Sequence, residues 1–368
     1  MTMAEAASAV LTIDLGAIAE NYRRLQAAAP GSAIAAVVKA NAYGLGAAEV
    51  AEALWQAGCK TFFVAHEEEG LALCQTLADA DIMVLHGIQG SEAIRAGLIP
   101  VLNHQGVLQR YRDRAGNGAQ RLPAALHVDT GMWRLGFGKA ELEALDAPTW
   151  DAIDLRLVMS HLACAEDPAS PLNGMQRGRF EQRLGLLPAA PASLANSSGI
   201  FLGRAYHYQL CRAGVALYGV NPTPGRTNPM APVVTLEAPV LQVLEVDAHG
   251  AVGYGATFEV DAGARLATIP VGYADGYLRA ASGRATARIG AHVVPLAGRI
   301  SMDLITLDIS AVPEDAVRPG TMVELIGGPD GLDRLADAAG TIGYEVLTRL
   351  GTRFARRYIG PAPGNRMV

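Results

Sequence analysis

Short apolar runs alternate with helix-like segments along the first two-thirds of the chain. The first apolar runs are Ile34–Val38, Thr61–Ala65 and Ile82–Leu85. Apolar residues recur at helical spacing in the segments after them, at Ala47–Gln56, Glu67–Leu77 and Ser91–Gly97. Continuous apolar strands separated by helices are typical of βαβ units, in which a parallel sheet is covered on both faces. We therefore expect an α/β fold.

The apolar runs are followed by polar side chains that can take part in chemistry. Further runs lie at Ile99–Leu102, Ala124–Val128, Leu155–Met159 and Ala192–Ala195. Polar residues follow these seven runs, and Arg212 adds an eighth such position, so the set is Lys39, His66, His86, Asn103, Asp129, His161, Asn196 and Arg212. Active sites of (β/α)8 barrels lie at the carboxyl ends of the strands, although doubly wound sheets also bind ligands there. Eight such ends favour an N-terminal (β/α)8 TIM-type barrel.

The pattern changes after the proline-rich segment 221–232. Polar and apolar residues then alternate, at Val233–Val246, Arg265–Val271, Ala287–Leu296, Leu304–Ile309 and Met322–Ile326. Alternation is typical of half-buried strands. Short helices are expected at Asp333–Ala339 and Tyr344–Leu350. We predict a barrel over residues 1–230, followed by a mostly antiparallel β domain over residues 231–368.

Composition narrows the choice of partners. The chain has 368 residues, a formal net charge of −6 and no basic run, so nucleic acid and anionic membrane are poor candidate partners. No apolar segment is long enough for a membrane helix, and the N-terminus lacks the charge pattern of a signal peptide, so we expect a cytoplasmic location. The four cysteines fit no zinc template, and no metal site is predicted.

Lys39 ends an apolar run instead of lying on a solvated face. Burying an ammonium group is costly unless it is paired or its amine is used in a covalent bond, as in Schiff-base lysines. A lysine just past a strand can also extend its amine to water. On position alone, the solvated lysine is the commoner case.

The string Val37–Gly44 (VVKANAYG) resembles the lysine motif that binds pyridoxal 5′-phosphate (PLP) in the alanine racemase family. Further strings resemble this family's motifs in the same order, at 129–136, 160–163, 196–199, 212–219, 253–258, 272–276, 298–303 and 343–345. Together they span the chain from Lys39 to Glu345, which makes the resemblance very specific.

This resemblance implies a PLP-dependent racemase with two bases on opposite faces of the substrate. Lys39 would hold the cofactor and serve one face, and Tyr254 would serve the other. In the family this tyrosine comes from the partner subunit, which implies a homodimer with shared active sites. Arg134, His161 and Arg212 would support catalysis.

The resemblance also implies ligand contacts. The cofactor-binding residues would be Lys39, Tyr43, Asn196, Ser197, Arg212, Gly214, Val215 and Tyr344. The substrate-binding residues would be Arg134, Tyr273, Met302 and Asp303. Because an arginine can only donate a hydrogen bond, Arg212 would leave the pyridine nitrogen unprotonated and disfavour transamination. The implied function is conversion of L-alanine to D-alanine, which supplies D-alanine for peptidoglycan.

Three positions depart from the family pattern. His127 stands where many members carry a lysine, often carbamylated, beside the motif arginine; a bound anion, another carboxylate or nothing special could take its place. Trp133 replaces a small residue, and Leu45 replaces the usual histidine.

Three rival functions are weighed against alanine racemisation. A PLP-dependent decarboxylase on the same barrel would carry a glutamate at the pyridine nitrogen, and Arg212 argues against it. A barrel-only PLP-binding carrier would lack the segment with Tyr254. A racemase acting on serine, lysine or a broad range of amino acids stays open, because it differs only in pocket dimensions.

Overall fold

The computed structural model describes residues 9–115 and 121–360, and the outer ends of the two predicted domains lie outside these ranges. The described residues divide into two compact units. The barrel unit comprises residues 18–217 and 221–230, apart from the undescribed 116–120. The β unit comprises residues 9–17, 218–220 and 231–360.

The barrel unit contains eight parallel strands. The first strand of the chain, β1 (Val10–Asp14), belongs to the β unit. The barrel strands are β2 (Ala33–Val37), β3 (Thr61–Val64), β4 (Asp81–Val84), β5 (Ile99–Leu102), β6 (Leu122–His127), β7 (Ile153–Met159), β8 (Ala192–Ser193) and β9 (Leu210–Ala213). They pair in the order β8-β7-β6-β5-β4-β3-β2-β9.

Backbone hydrogen bonds close the ring between β8 and β9. Gln209 N donates to Ala192 O at 3.2 Å, and Arg212 N donates to Ala195 O at 2.9 Å. The predicted TIM-type barrel is therefore confirmed. The eight strands carry the polar residues of their carboxyl ends to one rim of the barrel.

Helices cover the outside of the barrel strands. Those before residue 218 are Leu15–Ala28, Ala47–Gln56, Glu67–Cys74, Ser91–Arg95, Gln105–Ala115, Lys139–Glu143, Ala147–Asp151 and Pro171–Leu184. The helix Ala47–Gln56 has its predicted bounds, and Val50, Ala51 and Leu54 form its buried face at the spacing of one helical stripe. The predicted helix at Glu67–Leu77 ends earlier, at Cys74.

Side chains fill the interior of the barrel. Alternate residues of each strand point inward, and a cluster that includes Ala35, Phe63, Met83, Val101 and Leu157 packs there. A second cluster packs the outward-facing residues of β5–β8 against the helices. Each large apolar side chain buried in this way contributes about 1.5–3 kcal/mol to the free energy of folding. The rim residues are thus mounted on a rigid scaffold.

The β unit is mostly antiparallel, as predicted. Its strands after β1 are β10 (Val234–Pro239), β11 (Gln242–Glu245), β12 (Gly250–Val252), β13 (Phe258–Val260), β14 (Arg265–Ile269), β15 (Thr286–Ile289), β16 (His292–Pro295), β17 (Ile305–Asp308), β18 (Met322–Ile326) and β19 (Ala355–Ile359). A six-stranded sheet has the order β16-β15-β18-β10-β1-β19, and a three-stranded sheet has the order β11-β14-β17. Strands β12 and β13 form a separate hairpin. Two helices lie at Gly331–Ala339 and Gly343–Arg349.

Two predicted long strands are broken in the structure. The run Val233–Val246 contains β10 and β11, and the run Ala287–Leu296 forms the hairpin of β15 and β16. The hairpin turns at Gly290, which adopts φ 56°. Strand β1, which lies within the sequence range predicted as the barrel, pairs with β10 and, in parallel, with β19. No helix in the described part of the chain combines the length and apolar content that crossing a membrane requires.

Candidate active site

Lys39 lies directly beyond β2 at the rim of the barrel and is partly buried. Burial lowers the pKa of its ammonium group, and the positive charge of Arg134 lowers this pKa further, whereas Glu69 opposes the shift. A lowered pKa increases the fraction of free amine at neutral pH. A free amine is what a nucleophilic or basic lysine needs.

A left-handed turn follows Lys39. Ala40, Asn41, Ala42 and Tyr43 all have φ between 52° and 56°, and Gly44 follows at φ 86°. Each non-glycine residue in this conformation costs roughly 1–2 kcal/mol.

Side-chain acceptors hold this turn at both ends. Glu69 Oε1 accepts from Ala40 N at 2.7 Å, and Asn41 Oδ1 accepts from Ala47 N at 2.8 Å. Glu69 Oε2 also accepts from Ala65 N at 2.7 Å, so one carboxylate ties the turn to the end of β3. Strain that is stabilised by its surroundings is typical of functional sites.

Arg212 lies on β9 inside the barrel and is buried. Its Nη1 donates to the carbonyl and hydroxyl oxygens of Ser193, and its Nη2 donates to Ser160 O and His161 Nδ1. All four terminal N–H groups are therefore engaged, and Nε–H is the remaining donor, with no acceptor among the described residues. Burial lowers the pKa of Arg212 to about 10, so it stays charged at neutral pH.

His161 follows β7 and faces Arg212. Its Nδ1 lies 3.3 Å from Arg212 Nη2, and because an arginine only donates, this Nδ1 is the acceptor. Burial holds the pKa of His161 well below its usual value, and the charges of Arg212 and Arg134 lower it further. His161 is therefore neutral.

Arg134 lies in a loop that the Asp129 carboxylate organises. Asp129 Oδ1 accepts from Met132 N at 3.2 Å and from Trp133 N at 2.9 Å. Gly136 adopts φ 113°, and a Cβ there would come within 2.6 Å of Asp129 N, so only glycine fits. Arg134 is exposed, and Trp133 is 84% exposed, so the tryptophan does not pack into the barrel unit.

Ser197 and Gly214 form a turn whose N–H groups converge. Ser197 Oγ accepts from Gly214 N at 2.9 Å and from Ala216 N at 3.2 Å. A Cβ on Gly214 would lie 2.5 Å from Tyr43 Oη, so this phenol packs directly on the turn. The backbone N–H of Val215 finds no acceptor among the described residues. Such a turn suits a phosphate group, whose oxygens accept several hydrogen bonds.

Asn196 stabilises the neighbouring backbone. Its Oδ1 accepts from Gly199 N at 2.9 Å, and its Nδ2 donates to Leu162 O at 3.4 Å. These bonds orient the 196–199 turn, and a direct contact of Asn196 with the cofactor stays a prediction.

The remaining predicted residues lie in the β unit. Tyr254 is 72% exposed, in the loop between β12 and β13. A Cβ on Gly255 would come within 2.9 Å of Arg299 Nη1, so this guanidinium backs the loop. Tyr344 lies at the start of the helix Gly343–Arg349 and is partly exposed.

Tyr273, Met302 and Asp303 come together in the β unit. Tyr273 N donates to Ser301 O at 3.0 Å, and a Cβ on Gly272 would lie 2.2 Å from Met302 O, so only glycine allows this approach. Arg353 bonds Asp303 at 2.8 Å and the buried Asp275 at 3.0 Å. Asp303 is thus held by an ion-pair network, and its role as a direct substrate contact stays a prediction.

The structure brings the predicted residues into two groups. Lys39, Arg134, His161 and Arg212 act electrostatically on one another in the barrel unit, together with the phosphate-type turn. Tyr254, Tyr273, Met302, Asp303 and Tyr344 lie in the β unit. Among the described residues, no three His, Cys, Asp or Glu side chains are placed to hold a metal ion.

Sequence reasoning missed Glu69 and the pair formed by Asn103 and His127. Glu69 stands at the third position of its helix and bonds back to the residues before it, which is the pattern of a capping box. The spacing of His66 and Glu69 in the sequence already indicates this pattern. Nothing in the sequence indicates that Asn103 Oδ1 lies 2.9 Å from His127 Nδ1.

The fold and this cluster define a TIM-barrel enzyme whose chemistry is built at the carboxyl ends of the barrel strands. The protein-family model described as "Alanine racemase, N-terminal domain" matches residues 13–222. The family model described as "Alanine racemase, C-terminal domain" matches residues 233–358. The chain belongs to the alanine racemase family, and it is an isomerase.

Known proteins resemble the chain over nearly its whole length. "Alanine racemase, catabolic" of Mesorhizobium japonicum is 53% identical over 361 residues, which cover 96% of this chain and 94% of that protein. "Alanine racemase" of Rhodospirillum rubrum is 49% identical over 366 residues, with 98% of each chain covered. The crystal structure of alanine racemase from Bartonella henselae with covalently bound pyridoxal phosphate is 40% identical, with a TM-score of 0.91 over 96% of this chain and 100% of that one.

Proposed function

We propose that this protein interconverts L-alanine and D-alanine with PLP held at Lys39. The observation that carries the proposal is the partly buried Lys39 amine, whose pKa is lowered beside Arg134 at the rim of the barrel. A similar alanine racemase whose structure contains covalently bound pyridoxal phosphate supports the choice of cofactor.

The residues of the barrel unit fit PLP at both ends. The phosphate group would bind the turn of Ser197, Gly214 and Val215, where Val215 N–H has no acceptor among the described residues. The pyridine nitrogen would accept from the unpaired Nε–H of Arg212. When bound, PLP withdraws electrons from the substrate Cα and so acidifies its proton.

Arg212 favours racemisation over other reactions. It is charged at neutral pH and can only donate, so it does not supply a proton to the pyridine nitrogen. Without a proton donor at the pyridine nitrogen, bound PLP would take up less negative charge, which would favour return of the proton to the substrate Cα by Lys39 or Tyr254. A decarboxylase would place a glutamate here, and Arg212 is not compatible with that role.

Two bases on opposite faces account for the change of configuration. The Lys39 amine takes or returns the Cα proton on one face, and Tyr254 Oη does so on the other. Tyr254 is 72% exposed in the single chain. A catalytic phenol needs a shielded site, so we propose that Tyr254 completes the site of a partner subunit in a homodimer.

The substrate would be held by its carboxylate. Arg134 is an exposed cation with no ion-pair partner among the described residues, and Met302 N–H faces no acceptor there. Tyr273 would limit the space for the side chain, which favours alanine. Because one extra methylene group costs only about 1–3 kcal/mol, a racemase acting on serine, lysine or a broad range of amino acids is the alternative.

The physiological direction is a separate question. We propose that the D-alanine formed supplies peptidoglycan. The name "Alanine racemase, catabolic" of the Mesorhizobium japonicum relative favours the alternative that the reaction serves the breakdown of alanine. Deleting the gene distinguishes the two roles, because loss of supply makes growth depend on added D-alanine, whereas loss of catabolism impairs growth on alanine as a nitrogen source.

The reaction is tested with the purified protein and L-alanine in D₂O. We expect D-alanine to form with deuterium at Cα, as followed by NMR and chiral chromatography. Lys39→Ala should abolish racemisation and the absorbance of the bound cofactor together, whereas Tyr254→Phe should abolish racemisation alone. If deuterium enters Cα of serine or lysine but not of alanine, the proposed substrate is wrong. If deuterium enters Cα of no amino acid, the proposed reaction is refuted.

A further inference from the structure

His127 and Asn103 form a buried pair that the proposed mechanism does not use. His127 ends β6, Asn103 follows β5, and the two side chains are 8% and 4% exposed. His127 Nδ1 lies 2.9 Å from Asn103 Oδ1. The charges that act on His127 are those of Arg212, Arg134 and Asp129, so the pair borders the candidate active site.

Asn103 has a fixed orientation. Its Nδ2 lies 2.8 Å from Leu85 O and 3.1 Å from Val101 O. Carbonyl oxygens only accept hydrogen bonds, so the amide nitrogen must face these two atoms. The amide oxygen therefore faces His127.

This orientation determines the tautomer of His127. Asn103 Oδ1 can only accept, so His127 Nδ1 must carry the hydrogen. Burial and the charges of Arg212 and Arg134 lower the pKa of His127 to about 4, which keeps the ring neutral at physiological pH. A neutral ring with its hydrogen on Nδ1 has an unprotonated Nε2, which is a hydrogen-bond acceptor. No oxygen or nitrogen atom in the described part of the chain forms a hydrogen bond with this Nε2.

Arg134 is the cation available to this acceptor. The four terminal N–H groups of Arg212 already bond Ser193, Ser160 and His161. Arg134 is exposed and donates to none of the described residues, while the backbone on either side of it is fixed by Asp129 and Gly136. The charge of Arg134 already acts on His127, so the two side chains lie in the same part of the candidate active site.

We propose that His127 is a positioning residue, whose Nε2 accepts a hydrogen bond from Arg134 and so directs that arginine toward the substrate carboxylate. The inference rests on the proposed function, in which Arg134 binds the substrate. An uncharged acceptor orients the guanidinium without neutralising it. The full positive charge then stays available to the substrate and to the Lys39 amine, whose pKa it lowers.

The tautomer is tested by ¹⁵N NMR of the holoenzyme labelled at histidine, with His127→Gln for assignment. We expect a protonated Nδ1 and an unprotonated Nε2 at pH 7, and a shift of the Nε2 resonance when alanine is added. Arg134→Leu should remove that shift. A hydrogen on Nε2, or the same shift in Arg134→Leu, would overturn the proposal. The tautomer can be measured even if the protein does not racemise alanine, so this failure is distinct from failure of the proposed function.

Kinetics separate positioning from a structural role. His127→Leu removes the acceptor, and KM for alanine should rise about 10- to 100-fold while kcat changes less. His127→Gln places its amide oxygen near the position of Nε2 and should restore most of the loss. An unchanged KM in His127→Leu, or equal losses in the Leu and Gln variants, would contradict a positioning role.

Discussion

At the residue scale, burial and neighbouring charges together set the protonation state of the titratable groups in the barrel unit. Burial is the largest cause of the lowered pKa values of Lys39, His127 and His161, and the positive charge of Arg134 adds to each shift. Burial and this shared arginine therefore favour a reactive amine and two neutral imidazoles. Because these groups share a partner, substitutions among them should not be additive.

The first prediction concerns the Lys39 amine. Removing a nearby cation raises the pKa of an ammonium group, so Arg134→Leu should raise the pKa of Lys39. The rate at which cofactor-free protein recombines with PLP depends on the free amine, and its pH midpoint should move to higher pH. Arg134→Lys keeps the charge and is the matched control. Equal midpoints in the wild-type and Leu proteins would show that Arg134 does not act on Lys39.

The second prediction concerns stability at acid pH. The pKa of His127 is about 4 in the folded protein and about 6.5 in the unfolded chain, so between these values the unfolded state binds more protons. Stability should thus fall as pH decreases through this window, by about 3 kcal/mol from this residue. Thermal melts of the wild type and His127→Gln measure it. The two stability curves should converge toward acid pH, and parallel curves would contradict the assignment.

At the scale of elements, the left-handed turn after Lys39 has a conformational cost. Its residues are Ala40, Asn41, Ala42 and Tyr43, of which only asparagine tolerates this conformation well. The bonds from Glu69 and Asn41 fix the turn against the neighbouring backbone. The turn brings Tyr43 against Gly214, so its strain is linked to the shape of the phosphate-type turn.

The third prediction uses this strain. Ala40 is exposed with φ 52°, so Ala40→Gly should stabilise the folded protein by up to about 1 kcal/mol. Ala48 is exposed within the helix Ala47–Gln56, and Ala48→Gly should instead destabilise it by about 1 kcal/mol. Chemical denaturation of both variants gives the comparison. A loss of stability in both would mean that the turn is not strained.

At the scale of the whole molecule, the apolar pattern predicted the barrel and the mostly antiparallel β unit. Buried parallel strands read as continuous apolar runs, and half-buried strands read as alternation, so the two kinds of sheet differ in sequence. Strand β1 was not recognised, because its partners β10 and β19 lie more than 200 residues away in sequence. Gly290 gave the only local sign of the turn between β15 and β16.

The candidate site was predictable where strings of residues resemble a family, and less so where contacts are long-range. Lys39 and Arg212 were named from such strings, and the structure places both in the barrel unit. The left-handed turn was not foreseen, because alanine and tyrosine ordinarily avoid that conformation. The His127–Asn103 bond depends on the register of β5 and β6, which local sequence does not determine.

The central claim is that each active site combines Lys39 of one subunit with Tyr254 of its partner. It is tested most directly by mixing two inactive variants, Lys39→Ala and Tyr254→Phe, under conditions in which subunits exchange, and measuring alanine racemisation. A mixed dimer then has one site with both residues intact, so about a quarter of the wild-type activity should return when half of the dimers are mixed. If subunits exchange and no activity returns, Tyr254 does not serve the partner's site, and the two-subunit account is wrong.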